Sequence, residues 1–233
     1  MRCMTENKLA CFAEFIGSMF LIMAAVSPII LFVEVFESHI GVALIANAIA
    51  VSWVLCALIE IFLPISGAHF NPVVTLAKML ESGVKNFGLS KAAVYIFCQT
   101  AGGIAGIILT HMMFFEEKRG ILFISHVRRS GAVYFSEVLG TFILVFVILM
   151  LGHKKVKSSR ASIIVAFLVG GQVMATSSTM FSNPQVTFAR FFTSSVAGIR
   201  PIDGIIFIAM QIAGALLAVA AYKIFAFKSS EIK

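Results

Sequence analysis

Ser66-Gly67-Ala68-His69-Phe70-Asn71-Pro72-Val73-Val74-Thr75 is the stretch that decides this fold, and Asn183-Pro184-Gln185-Val186-Thr187 is its second copy. Each places Asn-Pro ahead of a short apolar run of about three turns. Asn is a strong helix N-cap, and Pro suits the first helical position, where its missing N–H costs nothing. Both motifs therefore predict helix starts. Pro72 to Glu81 is ten residues, ~15 Å at the helical rise and about half the hydrocarbon thickness of a bilayer. Two such half-helices, dipping in from opposite surfaces, would meet at mid-membrane and frame a pore.

The surrounding sequence supports a membrane setting. Of 233 residues, 60% are hydrophobic and 12% charged, whereas a soluble domain averages roughly 25% charged. The net charge of +7 is explained by basic residues in the short segments between apolar spans, without nucleic acid. Cys3, Cys11, Cys56 and Cys98 show no metal-site or disulfide spacing, so neither a metal nor a cofactor is expected. No Ser/His/Asp or Cys/His constellation points to an enzyme. The apolar run 9–33 is too long for a signal-peptide core and reads as a retained span.

Six stretches reach the ~20 residues a crossing needs: 10–33, 40–62, 91–114, 132–151, 160–179 and 203–226. With the N-terminus in the cytoplasm, twelve Lys and Arg fall inside and six outside, which places both termini inside. An internal repeat is visible. Ala13-Glu14-Phe15-Ile16-Gly17 answers Ser136-Glu137-Val138-Leu139-Gly140, and each Asn-Pro box precedes a Gln-x-x-Gly by 28 residues, at Gln99 and Gln211. Glu14 to Asn71 is 57 residues and Glu137 to Asn183 only 46; the eleven extra residues are expected after span one, around Glu34, Glu37 and His39. Three crossings per copy invert the second copy relative to the first. The expected architecture is an all-α membrane protein of six transmembrane helices plus two re-entrant half-helices. Its single membrane domain divides into inverted repeats 1–118 and 130–233.

At this point the sequence resembles the aquaporin and aquaglyceroporin family, over essentially its whole length. The resemblance is carried by Ser66-Gly67-Ala68-His69, the two boxes, Glu14, Glu137 and the repeat spacing. The family's boxes read Asn-Pro-Ala; here they are Asn71-Pro72-Val73 and Asn183-Pro184-Gln185. The resemblance implies a passive channel in the plasma (inner) membrane, a homotetramer with one pore per monomer in a lipid bilayer, and small neutral solutes as cargo. Asn71 and Asn183 would present amide donors at mid-channel. Both half-helix N-termini direct partial positive charge there, which repels cations and spares neutral hydroxyl-bearing molecules.

By the family's spacing, the outer constriction falls on Val51, Gly171, Met180 and Val186. The usual aromatic at the first position and Arg at the last are absent, so the filter reads as broad and apolar, resembling polyol-conducting members. Arg190, about two helical turns after Asn183, is not read as a substitute. A narrower resemblance, through Val186, Phe181-Ser182-Asn183-Pro184 and Ala197-Gly198-Ile199-Arg200-Pro201, is to aquaglyceroporins linked to bacterial arsenic-resistance operons. It implies arsenous acid, As(OH)3, and related uncharged metalloids as cargo. A glycerol or water facilitator without an arsenic role, and a membrane-junction protein of the same fold, stay as alternatives.

In this family the Glu14 and Glu137 positions brace the re-entrant loops, and structural support is expected of them rather than a proton relay. His69 is expected in the cytoplasmic vestibule. Glu60 lies near the end of span two, close to the interface. Gly102-x-x-x-Gly106 suits close helix packing, within or between monomers. Lys154-Lys155-x-Lys157 reads as a cytoplasmic anchor.

Overall fold

The chain folds into long helices joined by loops and short helices, seen in a computed structural model that describes residues 6–118, 120–129 and 131–231, the last five as backbone only. Arg2, Cys3, Arg119 and Lys233 of the sequence reading lie outside these residues. The helices are α1 (Glu6–Ile30), α2 (Ile40–Ser66), α3 (Pro72–Ser82), α4 (Val84–Phe87), α5 (Leu89–Met113), α6 (Phe115–Lys118), α7 (Ala132–His153), α8 (Ser158–Ala175), α9 (Pro184–Ala189) and α10 (Pro201–Glu231). Six are long and apolar enough to cross a membrane: Glu6–Val35, Ile40–Ser66, Leu89–Met113, Ala132–His153, Ser158–Ala175 and Pro201–Ala226. This is a multi-pass membrane protein, and its two short Asn-Pro helices are α3 and α9.

Two expectations need correction. The extra residues of the first half do not loop out around Glu34, Glu37 and His39. Instead α1 runs on through a π-helical stretch, Leu31–Val35, ending 21 residues past Glu14 where α7 stops 16 past Glu137. Likewise α2 has 27 residues against 18 in α8. Only 36–39 separate the first two spans. The second correction concerns span five, which stops at Ala175 rather than 179. Thr176 leaves the helix with extended backbone, and its hydroxyl donates to the Gln172 carbonyl at 2.7 Å while accepting from the Met180 amide at 3.0 Å. The freed residues build the approach to the second box.

Packing is pairwise: α1 lies on α5 and α2, α7 on α10, and α2 on α8. Small residues set the closest approaches. A Cβ on Gly102 would stand 2.2 Å from the Phe15 carbonyl oxygen, and one on Gly214 2.4 Å from that of Val138. The Gly102-x-x-x-Gly106 motif therefore seats α5 on α1 within one chain, since Gly106 likewise abuts Met19 and Ile22. Backbones brought this close gain dispersion contacts that bulkier side chains would forbid.

Candidate permeation site

The site is two loops tied down by the same bonds. In each, Asn caps its half-helix as the sequence predicts: Asn71 Oδ1 accepts from the Val73 amide at 3.0 Å, and Asn183 Oδ1 from the Gln185 amide at 3.1 Å. Pro72 and Pro184 open the helices. Ahead of each cap the backbone is strained at matching positions: Ala68 and Phe70 have φ 49° and 47°, Met180 and Ser182 φ 48° and 42°. Left-handed conformations are costly for residues with a Cβ and persist only where the surroundings enforce them.

Glu14 and Glu137 do the enforcing. The Glu14 carboxylate accepts from the His69 and Phe70 amides at 3.0 and 2.7 Å, the Ser66 hydroxyl at 2.6 Å and Gln99 Nε2 at 2.7 Å. Glu137 accepts from the Phe181 and Ser182 amides at 3.1 and 2.8 Å and from Gln211 Nε2 at 2.6 Å. Both carboxylates are fully buried. Each such charge-assisted bond is worth ~1.5–3 kcal/mol net. The same Gln amides reach Thr75 and Thr187 at 3.0 and 2.8 Å. The threonine hydroxyls in turn donate to the Asn71 and Asn183 carbonyls at 3.2 and 3.0 Å. The loop is thus tied to its half-helix and to a crossing helix at once.

The two tips meet. Asn71 Nδ2 donates to the Ser182 carbonyl and Asn183 Nδ2 to the Phe70 carbonyl, both at 2.9 Å. Beside them runs a cavity of about 220 Å³. Its wall takes Asn71 and Asn183 together with the lead-in residues 67–70 and 179–182. Val51, Met180 and Val186 line it too, as does His69, whose Nδ1 lies 3.0 Å from Thr75 Oγ1 and whose ring stacks on Phe87. Pro72, Val73, Pro184 and Gln185 are absent from the wall and pack behind it. Val73 sits in an apolar cluster with Ala215 and Leu149. The larger Gln185 is accommodated by Gly103, where a Cβ would come within 2.3 Å of its Oε1.

Gly171 is not in the wall. It is exposed, with nothing within 4 Å of a Cβ built there; Val165, Val169 and Val173 line the cavity instead. Two residues turn a helix by about 200°, so Gly171 faces opposite to Val169 and Val173. Spacing counted back from Asn183 missed this because it carries no information about where α8 ends. The sequence reading also missed Asn47 and set Arg190 aside, yet both line the cavity. Asn47 Nδ2 donates to the Ala24 and Ala25 carbonyls at 3.2 and 3.0 Å, and Arg190 Nη2 to Ala25 at 2.9 Å. An Asn one turn before Val51 in an apolar span was the available signal. Glu60 accepts from Ser162 Oγ at 2.9 Å, joining α2 to α8 away from the cavity.

A bundle of six long apolar helices with two inward half-helices meeting on paired asparagines defines a class of membrane channels. The chain belongs to the major intrinsic protein family, whose model matches residues 3–182 and whose members are channels rather than enzymes. It is 36% identical to the aquaglyceroporin AqpS of Rhizobium meliloti (strain 1021) over 214 residues, 90% of this chain and 87% of that one. It is 29% identical to a probable glycerol uptake facilitator protein of Thermotoga maritima over 172 residues, covering 67% and 70%. In fold it is similar to the X-ray structure of the aquaglyceroporin from Plasmodium falciparum, with a TM-score of 0.69 over 94% of this chain and 96% of that one, at 17% identity.

Proposed function

We propose that this protein is a passive channel for small neutral hydroxylated solutes: polyols of glycerol size and arsenous acid, As(OH)3. The observation that carries the reading is the meeting of Asn71 and Asn183 in the wall of one cavity. Two half-helices contribute roughly half an elementary charge each at that point, so a cation is repelled while a neutral triol is not. Val51, Val173, Met180 and Val186 make the neighbouring wall apolar, which suits the carbon side of a polyol. Among the described residues no cysteine lines the cavity; a thiol there would trap trivalent arsenic rather than release it. The aquaglyceroporin and glycerol-facilitator relatives support the polyol part of the proposal. The arsenic part rests on the sequence resemblance. A homotetramer in the plasma membrane with both termini cytoplasmic completes it.

Stopped-flow light scattering on proteoliposomes, with water, glycerol and arsenous acid in turn, tests this directly. Glycerol and arsenous acid are expected to equilibrate well ahead of protein-free vesicles. Rates equal to those vesicles for all three solutes sink the channel, and a glycerol rate without an arsenous acid rate removes only the arsenic. Val186→Arg is expected to cut glycerol and arsenous acid flux more than water flux, because it narrows the wall and adds a fixed charge.

A further inference from the structure

The repeat that matches Asn71 with Asn183 also matches Lys78 with Arg190, each seven residues after its Asn. Both side chains are in the cavity wall. The half-helices point away from their touching tips, so the two cations stand on opposite sides of the asparagines, each ~10 Å along its helix. Their surroundings differ. Lys78 pairs with Glu81 at 3.2 Å, both side chains about a quarter exposed. Arg190 is 6% exposed, and among the described residues no carboxylate pairs with it. Its guanidinium lies over the Phe181 ring at 4.1 Å, its Nη2 holds the Ala25 carbonyl, and its Nε has no partner.

The place where Arg190 docks is built by the sequence of α1. Pro28 lacks an N–H, which leaves the Ala24 carbonyl without its helical donor. Asn47 takes up that carbonyl and its neighbour Ala25, and Arg190 closes on the same point. The result is a polar cluster in an otherwise apolar stretch of wall. Burying a guanidinium without a counter-ion is costly, and packing alone gives no reason for it, since an apolar side chain would fill the space.

We propose that Arg190 is a specificity-determining residue of the pore, a fixed cation in the wall that bars positive ions and protons while a neutral solute passes. The inference rests on the passive-channel reading above. Val186 leaves the first turn of α9 without a charge, and Arg190 supplies one from the next turn, beside the negative end of that short helix. A cation in this low-dielectric passage meets a repulsion that water would have screened; an uncharged solute meets none. Lys78, half neutralised by Glu81, is the weaker counterpart at the other side.

Proteoliposomes holding the full chain give the test, with proton flux under an imposed potassium–valinomycin potential read by an entrapped pH dye, and glycerol flux read in parallel. Wild type is expected to leak protons no faster than protein-free vesicles while passing glycerol. Arg190→Met is expected to raise the leak at least about tenfold and Arg190→Lys to restore most of the barrier, with Lys78→Met raising it about two- to threefold. A Met variant that passes glycerol yet leaks like wild type, or a Lys variant that leaks like the Met variant, overturns the proposal. Should the Met variant fail to fold, wild type decides: a proton leak about ten times that of empty vesicles overturns it, and a tight channel beside a tight Lys variant upholds it. Wild-type vesicles passing no solute defeat the channel reading and this inference with it, an outcome distinct from the others.

Discussion

Around the first re-entrant loop Glu14, Ser66, Gln99 and Thr75 form the brace; around the second Glu137, Ser178, Gln211 and Thr187 stand at the equivalent places. The braces agree to within tenths of an ångström in their Gln–Glu and Asn–carbonyl bonds. The side chains they present do not agree. Phe70 in the first loop stands where Ser182 stands in the second, His69 where Phe181 stands, and Lys78 where Arg190 stands. Behind the boxes Val73 lies in a cluster with Ala215, while Gln185 needs Gly103. The difference teaches which part of the design is obligatory. Loop backbone at membrane depth has no water to bond, so its amides must find protein acceptors, and both halves solve that in one way. What faces the cavity is free to diverge, and it is there that the two sides of the passage acquire different chemistry.

Removing a brace is the harshest way to break the comparison. Glu14→Ala and Glu137→Ala each orphan two loop amides held by the carboxylate, at roughly 1–3 kcal/mol per donor, and are expected to lose about 2–6 kcal/mol. Unfolding midpoints in detergent check this; a large loss from one and none from the other would show that the two loops are not held alike.

The pairing behind the second box sharpens it further. Gly103→Ala pushes a methyl into Gln185 and is expected to cost about 1–3 kcal/mol by overpacking. Gln185→Ala should relieve that cost in the double variant, because the space would be shared again. Additive losses in the thermal unfolding of the single and double variants would mean the two residues do not compete. Ala215→Gly, on α10 behind the first box, is expected to open a small void with no such coupling.

Flux distinguishes the wall from the outside of α8. Val173→Trp is expected to lower glycerol permeability by about tenfold, equivalent to ~1.4 kcal/mol, whereas Gly171→Leu points into open space and should leave it within about twofold, under ~0.5 kcal/mol. Vesicle light scattering reads both, and the opposite ranking would return position 171 to the filter.

The architecture was legible because its causes are local. Asn before Pro can cap and open a helix whatever surrounds it, apolar length decides a crossing, and a 28-residue spacing recurring twice exposes the repeat. Glu14 and Glu137 stood out because a carboxylate in an apolar span demands partners, and the family resemblance is what marked them as braces. Less was legible where the answer depends on rotation and on element ends. Counting twelve residues back from Asn183 lands on Gly171, but α8 stops at Ala175 and turns Val173 inward. The eleven-residue difference between the halves looked like a loop and proved to be helix, since polar Glu34 sits within the π-helical stretch and pairs with Lys118.

By itself the sequence determined a membrane bundle of six crossings, two half-helices and their capping asparagines, for these follow from hydrophobic length and from the bonding habits of Asn and Pro. Only the tertiary structure decided which side chains face the passage. That choice placed Val173 rather than Gly171 in the wall and brought Arg190 and Asn47 onto the carbonyl of Ala25. The reason is that the rotation of each helix about its axis is fixed by close contacts with its neighbours, and those contacts join residues far apart in the chain.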